Sequence, residues 1–132
     1  MTIPFSPLGE IDPTPRPRVR VQVGGAEHLP LACLIDTGSL RTRLPAWLAE
    51  AAGIDLRHGI SESIAVAGSG RITARAAHVE LTVCEIGLTI PCPVWFCEPW
   101  DHAFGLLGQE DFLRSFRLTL VSAESWFDLA LT

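Results

Sequence analysis

The chain has 132 residues, of which 48% are hydrophobic and 19% are charged, and its formal net charge is −5. This length fits one domain, and the hydrophobic content argues against intrinsic disorder. The acidic balance argues against a nucleic-acid groove or a polybasic membrane anchor, since both need clustered basic residues. No apolar run approaches the roughly 20 residues that cross a bilayer, and residues 1–17 do not resemble a signal peptide, which predicts a cytoplasmic protein.

The chain begins with a proline-rich arm, residues 1–17, which has no periodicity and is expected to be extended or flexible. Residues 18–132 form the predicted domain. Alternating valines predict a half-buried strand over residues 18–23, and a continuous apolar run predicts a strand over residues 31–35.

The rest of the chain is predicted to consist mostly of strands. Residues 45–52 are an exception, because alanine and leucine after an initial proline favour a short helix. Two alternating segments around a glycine-rich tip predict a β-hairpin, and two prolines push the next strand toward a sheet edge or a bulge. A helix of one to two turns and a closing pair of strands follow. In order, these later segments are residues 60–67, 72–83, 88–96, 110–115, 116–121 and 126–131.

The four cysteines, Cys33, Cys84, Cys92 and Cys97, lack the paired spacing of structural zinc sites. A zinc site that combines the last three with His102 is the weaker alternative, and free thiols are favoured. No histidine is placed beside any one cysteine, so a catalytic thiol is not predicted.

The most informative stretch is LIDTGS, in which an apolar strand leads into Asp36, Thr37 and Gly38. Among the six aspartates of the chain, only Asp36 is followed by such a hydroxyl-glycine pair. A carboxylate at the end of a buried strand is costly unless it is hydrogen-bonded or functional. The alternative is a strand that simply ends in a turn, because aspartate and glycine are common turn residues.

A second apolar signature, Leu106-Leu107-Gly108, follows about seventy residues later, beyond the predicted hairpin. With LIDTGS, this order of elements resembles the retropepsin-like aspartic proteases, which include retroviral proteases and their single-domain bacterial relatives. The resemblance extends from Arg18 to Leu131. It implies a mostly β, closed, barrel-like acid-protease fold with a flap hairpin and one or two short helices. Gln109 departs from the family pattern, because retroviral enzymes have an arginine after the signature glycine that supports an ion pair between subunits.

The resemblance also implies a mechanism. Enzymes of this family hydrolyse peptide bonds with a water molecule activated by two facing aspartates, without a metal or another cofactor. One chain supplies only Asp36, so a symmetric homodimer is needed to bring two Asp36 carboxylates together. The resemblance gives Thr37 the role of a hydrogen bond across the dimer axis that stiffens the two Asp-Thr-Gly loops. Gly38 is expected to let its backbone N–H point at the carboxylate. The predicted partners are a polypeptide substrate and a second copy of the chain.

The resemblance places the substrate between the catalytic loop and the flap, with Ala67, Gly68, Ser69 and Gly70 at the flap tip. Ser39 is assigned to the floor of the same site. A Ser39 hydroxyl that donates to the Asp36 carboxylate would favour the charged form, which predicts an acid-shifted activity optimum. A serine that caps its own turn is the equally weighted alternative.

Asp111 lies near the start of the predicted short helix over residues 110–115 and is interpreted as a helix-dipole or capping partner rather than a catalytic group. The alternative to the protease is a catalytically inactive peptide-binding or assembly module with the same fold, which the departure at Gln109 and the absence of tyrosine leave open.

Overall fold

The computed structural model describes residues 2–66, 68 and 70–132. Its ten strands are β1 (Thr2–Pro4), β2 (Arg18–Val23), β3 (Leu31–Ile35), β4 (Arg43–Pro45), β5 (Ser61–Val66), β6 (Gly70–Val83), β7 (Leu88–Glu98), β8 (Gly105–Leu107), β9 (Phe116–Val121) and β10 (Trp126–Leu131). One α-helix, α1 (Ala46–Ala51), follows β4, and single 3₁₀ turns cover Leu113–Ser115 and Ser122–Glu124.

The main sheet closes on itself. Its order is β2-β3-β8-β4-β7-β6, and a further pairing of β2 with β6 completes the barrel, while β5 extends the β6 edge. Val19, Val21 and Val23 are fully buried in the core, as the alternation of β2 predicts. The mostly β, closed-barrel fold class is therefore confirmed.

The strand that carries LIDTGS lies inside this sheet. On one side β3 pairs antiparallel with β2, and on the other it runs parallel to β8, with Cys33 opposite Gly105 and Ile35 opposite Leu107. Parallel neighbours place the ends of β3 and β8 at the same edge of the sheet. The two sequence signatures are thus brought side by side.

The first residues of the arm are part of the fold. Thr2–Pro4 pairs antiparallel with β10 and forms a three-stranded sheet with β9, and the side chain of Ile3 is buried. Further along, Leu8 is also buried, and a bridge joins Ser6 to Arg16. The sequence predicts no strand here, because three residues are too few to show an alternating pattern.

Other elements differ from their predictions in detail. The predicted helix over residues 110–115 is a turn followed by the single 3₁₀ turn Leu113–Ser115. The strand β4 was not predicted, again because it has only three residues. Pro91 and Pro93 lie on the part of β7 that pairs with β6 alone, since β4 pairs only with residues 95–97, so the predicted edge position is correct for that part. In the part of the chain that the structure describes, no helix is long and apolar enough to cross a membrane.

The buried anchor of the arm can be tested by comparing two isoleucines. Ile3 is 4% exposed, whereas Ile11 is 100% exposed. We expect Ile3→Ala to lower the free energy of unfolding by about 2–4 kcal/mol through lost burial and a cavity, and Ile11→Ala to change it by less than about 0.5 kcal/mol. Urea denaturation followed by tryptophan fluorescence measures both. Equal stabilities of the two variants would show that the arm does not pack on the barrel.

Candidate active site

The candidate site is built on the turn that follows β3. The backbone N–H of Asp36 donates to the carbonyl of Leu107 at 3.1 Å, which continues the β3–β8 ladder by one residue. The next turn brings the backbone N–H of Gly38 to 3.0 Å from Oδ1 of Asp36. Asp36 is partly buried, while Thr37 and Gly38 are exposed. The carboxylate therefore has a fixed backbone donor and an open side toward solvent.

We call residues 36–41 the catalytic loop, because the sequence predicts that Asp36 is catalytic. The segment after β8 contacts this loop at three residues. The backbone N–H of Gln109 donates to the carbonyl of Ser39 at 2.8 Å, and that of Glu110 donates to the carbonyl of Leu40 at 2.9 Å. The side-chain amide of Gln109 donates to the carbonyl of Thr37. Gln109 therefore forms a hydrogen bond with the loop of its own chain. The sequence does not indicate this role, because it shows only that Gln109 replaces an arginine of the family pattern.

A buried hydroxyl links the same two segments. Thr42 is fully buried, and its Oγ1 donates to Asp111 and accepts the backbone N–H of Gly108 at 3.1 Å. The backbone N–H of Thr42 donates to the other oxygen of Asp111 at 3.0 Å. Asp111 also accepts the backbone N–H of Phe112 at 2.9 Å, as expected of the capping group predicted from the sequence. Its bond to Thr42 was missed, because a lone threonine between two arginines carries little signal.

The signature glycine is required by close backbone approach. A Cβ atom on Gly108 would lie 2.3 Å from the carbonyl oxygen of Arg41, so a larger residue would push β8 away from the catalytic loop. Leu107 is fully buried in the core and Leu106 is half-buried. The signature thus supports the catalytic loop through packing and close backbone contact, and it contributes no reacting group. Its residues are Leu106, Leu107 and Gly108.

The prediction that Ser39 donates to the Asp36 carboxylate is wrong. The Ser39 hydroxyl donates to the carbonyl of Arg41 at 2.8 Å, and the donor at Asp36 is the backbone of Gly38. The serine thus closes its own turn, which is the alternative that the sequence analysis left open. Without a hydroxyl donor at Asp36, the basis for an acid-shifted optimum is lost.

The predicted flap is a hairpin of β5 and β6, in which Val66 pairs with Gly70. Gly68 and Gly70 have φ angles of 76° and 80°, in the left-handed region that favours glycine, so a larger residue at either position would be strained. The Arg71 guanidinium donates to the Ser63 hydroxyl at 2.7 Å and braces the two strands. The predicted substrate-binding residues Ala67 and Ser69 lie outside the described residues.

The cysteines do not converge. Cys33, Cys92 and Cys97 are buried and Cys84 is exposed, all as free thiols. Burial raises the pKa of Cys92 to about 12, which keeps this thiol protonated and unreactive at neutral pH. Within residues 2–66, 68 and 70–132, no three His, Cys, Asp or Glu side chains are grouped closely enough to hold a metal ion.

Comparison with known proteins identifies the family. A family model described as aspartyl protease matches residues 19–110, which includes the catalytic loop, the hairpin and β8. The chain belongs to the aspartyl protease family. No curated protein showed significant similarity to the sequence.

Two solved structures show which aspartyl protease fold this is. A retropepsin-like aspartic protease from Rickettsia conorii is similar with a TM-score of 0.65 at 15% identity, over 96% of this chain and 97% of that chain. The retroviral protease-like domain of Ddi1 from Leishmania major has a TM-score of 0.60 at 15% identity, over 86% of this chain and 87% of that chain. This member of the aspartyl protease family has the retropepsin-like fold that its sequence predicts.

The Thr42 network can be tested with two substitutions of different polarity. Thr42→Val removes the hydroxyl, which leaves the buried N–H of Gly108 without a partner and takes one of its two donors from an oxygen of Asp111, so we expect a loss of about 2–4 kcal/mol in the free energy of unfolding. Thr42→Ser keeps the hydroxyl and is expected to lose about 1 kcal/mol with the methyl group. Urea denaturation and hydrogen exchange at the Gly108 amide measure the difference. Equal losses in both variants would contradict the role of the hydroxyl.

The corrected role of Ser39 leads to a separate expectation. Ser39→Ala removes a hydrogen bond within the turn, so we expect a loss of about 1 kcal/mol in stability. The pH profile of peptide cleavage should remain that of the unmodified protein, because the hydroxyl does not contact Asp36. A profile of initial rates from pH 3 to 8 measures this. A displaced acid limb in Ser39→Ala would restore the original hypothesis.

Proposed function

We propose that this protein is a homodimeric aspartic endopeptidase. The proposal is carried by the single Asp-Thr-Gly motif in a chain of the aspartyl protease family. The carboxylate of its Asp36 is partly exposed at the end of β3 and accepts the backbone N–H of Gly38. Hydrolysis by this chemistry needs two carboxylates, and the chain has one Asp-Thr-Gly. A two-fold axis beside the catalytic loop supplies the second as Asp36 of another copy.

The two Asp36 carboxylates act as a pair that shares one proton, because two like charges about 3 Å apart do not both ionise easily. The ionised carboxylate takes a proton from the attacking water, whose oxygen forms the new bond to the scissile carbonyl carbon. The protonated carboxyl donates to the carbonyl oxygen. Collapse of the tetrahedral intermediate breaks the C–N bond, and the leaving amine takes a proton from the pair.

The residues around Asp36 have positioning roles in this proposal. The backbone N–H of Gly38 orients one carboxylate oxygen, and the Gln109 side chain holds the carbonyl of Thr37. Thr37 is exposed, which suits a residue that contacts the second copy. A polypeptide substrate binds as an extended strand under the β5–β6 hairpin, whose glycines let the tip approach a peptide backbone.

A subunit-mixing experiment tests whether the site is shared. Asp36→Asn should abolish cleavage of a peptide library, because the amide is neither a base nor an ionisable acid at this position. When the variant and the unmodified protein are mixed in equal amounts and allowed to exchange, about one quarter of the dimers contain two aspartates. We therefore expect cleavage per total protein to fall to about one quarter, measured by initial rates across the pH range.

The control is Glu124→Gln, which removes an exposed carboxylate outside the site and should leave cleavage unchanged. A fall to one half in the mixing experiment would indicate that each subunit acts alone and would contradict the shared site. Equal cleavage by Asp36→Asn and the unmodified protein would contradict the protease. A dimer that binds peptides but cleaves none at any pH would indicate the inactive peptide-binding module instead.

A further inference from the structure

The hairpin of β5 and β6 leaves the barrel as a two-stranded ribbon. β7 pairs with β6 only as far as the pair of Thr73 with Glu98, and β5 is the outer strand of the sheet. Beyond this point, the described residues 64–66 and 70–72 pair only with each other. A two-stranded hairpin is only marginally stable on its own, so contacts at the point of exit must fix its direction.

A small apolar cluster lies at this point of exit and is separate from the main core. Its buried members are Ala74, Trp95 and Cys97. Ile64 and Ile72, which are directly opposite each other in the hairpin, pack against it. The base of the hairpin is therefore held by an apolar cluster of its own.

Two arginines at the end of the catalytic loop and just after it lie against this cluster. The Arg41 guanidinium is 4.9 Å from the centre of the Trp95 ring. Nη1 of Arg43, the first residue of β4, donates to Sγ of Cys97 at 3.9 Å. Trp95 and Cys97 are alternate residues of β7 and share one face of that strand. Both arginines therefore contact the face of β7 on which the hairpin base packs.

The Arg43 side chain also reaches the hairpin itself. Its Nη2 lies 3.5 Å from Oε1 of Glu62, which belongs to β5 just before the two-stranded part begins. The Arg43 side chain is 19% exposed, and among the described residues Glu62 is the one carboxylate within ion-pair distance of it. A mostly buried charge is costly without a partner, so this ion pair joins β5 to β4.

We propose that Arg43 and Glu62 are positioning residues that fix the direction of the hairpin relative to the catalytic loop. The proposal rests on the function proposed above, in which the substrate binds under this hairpin. Arg43 directly follows Thr42, whose buried hydroxyl joins the two signatures, so the backbone of Arg43 is fixed together with the site. The ion pair extends this fixed arrangement to β5.

This role predicts an effect on substrate binding and not on the chemical step. Removing the charge of Glu62 leaves Arg43 without its partner, so the guanidinium turns toward solvent and the hairpin varies in direction. A substrate that lies between the hairpin and the catalytic loop then binds more weakly. The Asp36 carboxylate keeps its backbone donor at Gly38, so the bond-breaking step is unchanged.

Hydrogen exchange of the whole protein, followed by mass spectrometry, tests the hold on the hairpin without the need for cleavage. Glu62→Gln should raise the exchange rate about three- to tenfold in residues 61–66 and 70–75, and leave residues 18–23 of β2 unchanged. The matched control is Glu80→Gln, which removes an exposed carboxylate from the part of β6 that lies inside the barrel sheet. It should change the exchange of none of these segments.

Peptide cleavage tests the role of the pair in the reaction. Glu62→Gln should raise KM about three- to tenfold and change kcat by less than about twofold, because only binding depends on the direction of the hairpin. The charges can also be exchanged by combining Arg43→Glu with Glu62→Arg. The combined variant should bring KM and hairpin exchange back toward the values of the unmodified protein, whereas either reversal alone should not.

The outcomes separate this proposal from the protease. Unchanged hairpin exchange in Glu62→Gln would overturn it, and so would an equal rise in residues 18–23, which indicates a general loss of stability. Raised hairpin exchange with an unchanged KM would also overturn it, while leaving the protease intact. Raised exchange confined to the hairpin, in a protein that cleaves no peptide at any pH, would support the hold on the hairpin and contradict only the protease.

Discussion

The buried hydroxyl of Thr42 is the contact on which the site depends most. It joins the chain just after the catalytic loop to Gly108 and Asp111, which follow β8. Because Thr42 is fully buried, losing one partner would leave a polar group without water or protein to satisfy it. Thr42 therefore adds a buried side-chain link to the backbone hydrogen bonds that join the two signatures. The position of Asp36 is fixed beside this link, because its backbone N–H donates to the carbonyl of Leu107.

The same arrangement explains why the signature after β8 ends in glycine. The backbone of Arg41 passes so close to Gly108 that no side chain fits between them. This approach lets the N–H groups of Gln109 and Glu110 reach the carbonyls of Ser39 and Leu40. The absence of a Cβ atom at Gly108 thus allows a second set of backbone hydrogen bonds between the two segments. The catalytic loop, which begins with the Asp36 carboxylate, is therefore held by backbone hydrogen bonds and is not a free turn.

Sequence reasoning located the parts of this site that are local. Asp36 is recognisable because a carboxylate, a hydroxyl residue and a glycine follow one another after an apolar strand, and the alternating valines of β2 define the barrel face. Thr42 and Asp111 are 69 residues apart, and the residues next to them in the sequence give no indication that the two are in contact. Short strands such as β1 and β4 have too few residues to show an alternating pattern, so they can be identified only from the structure. The sequence leaves two acceptors open for the Ser39 hydroxyl, and only the structure shows that it donates to the carbonyl of Arg41.

Gln109, where the chain departs from the retroviral pattern, forms a contact within its own chain instead of one between subunits. An arginine at this position is expected to support contacts between subunits, whereas the amide of Gln109 holds the carbonyl of Thr37 within one chain. Together with the two backbone bonds from residues 109 and 110, it holds the loop within a single chain. In the proposed homodimer, association would then have less conformational entropy to overcome at the loop. The second copy of that proposal would add the other carboxylate.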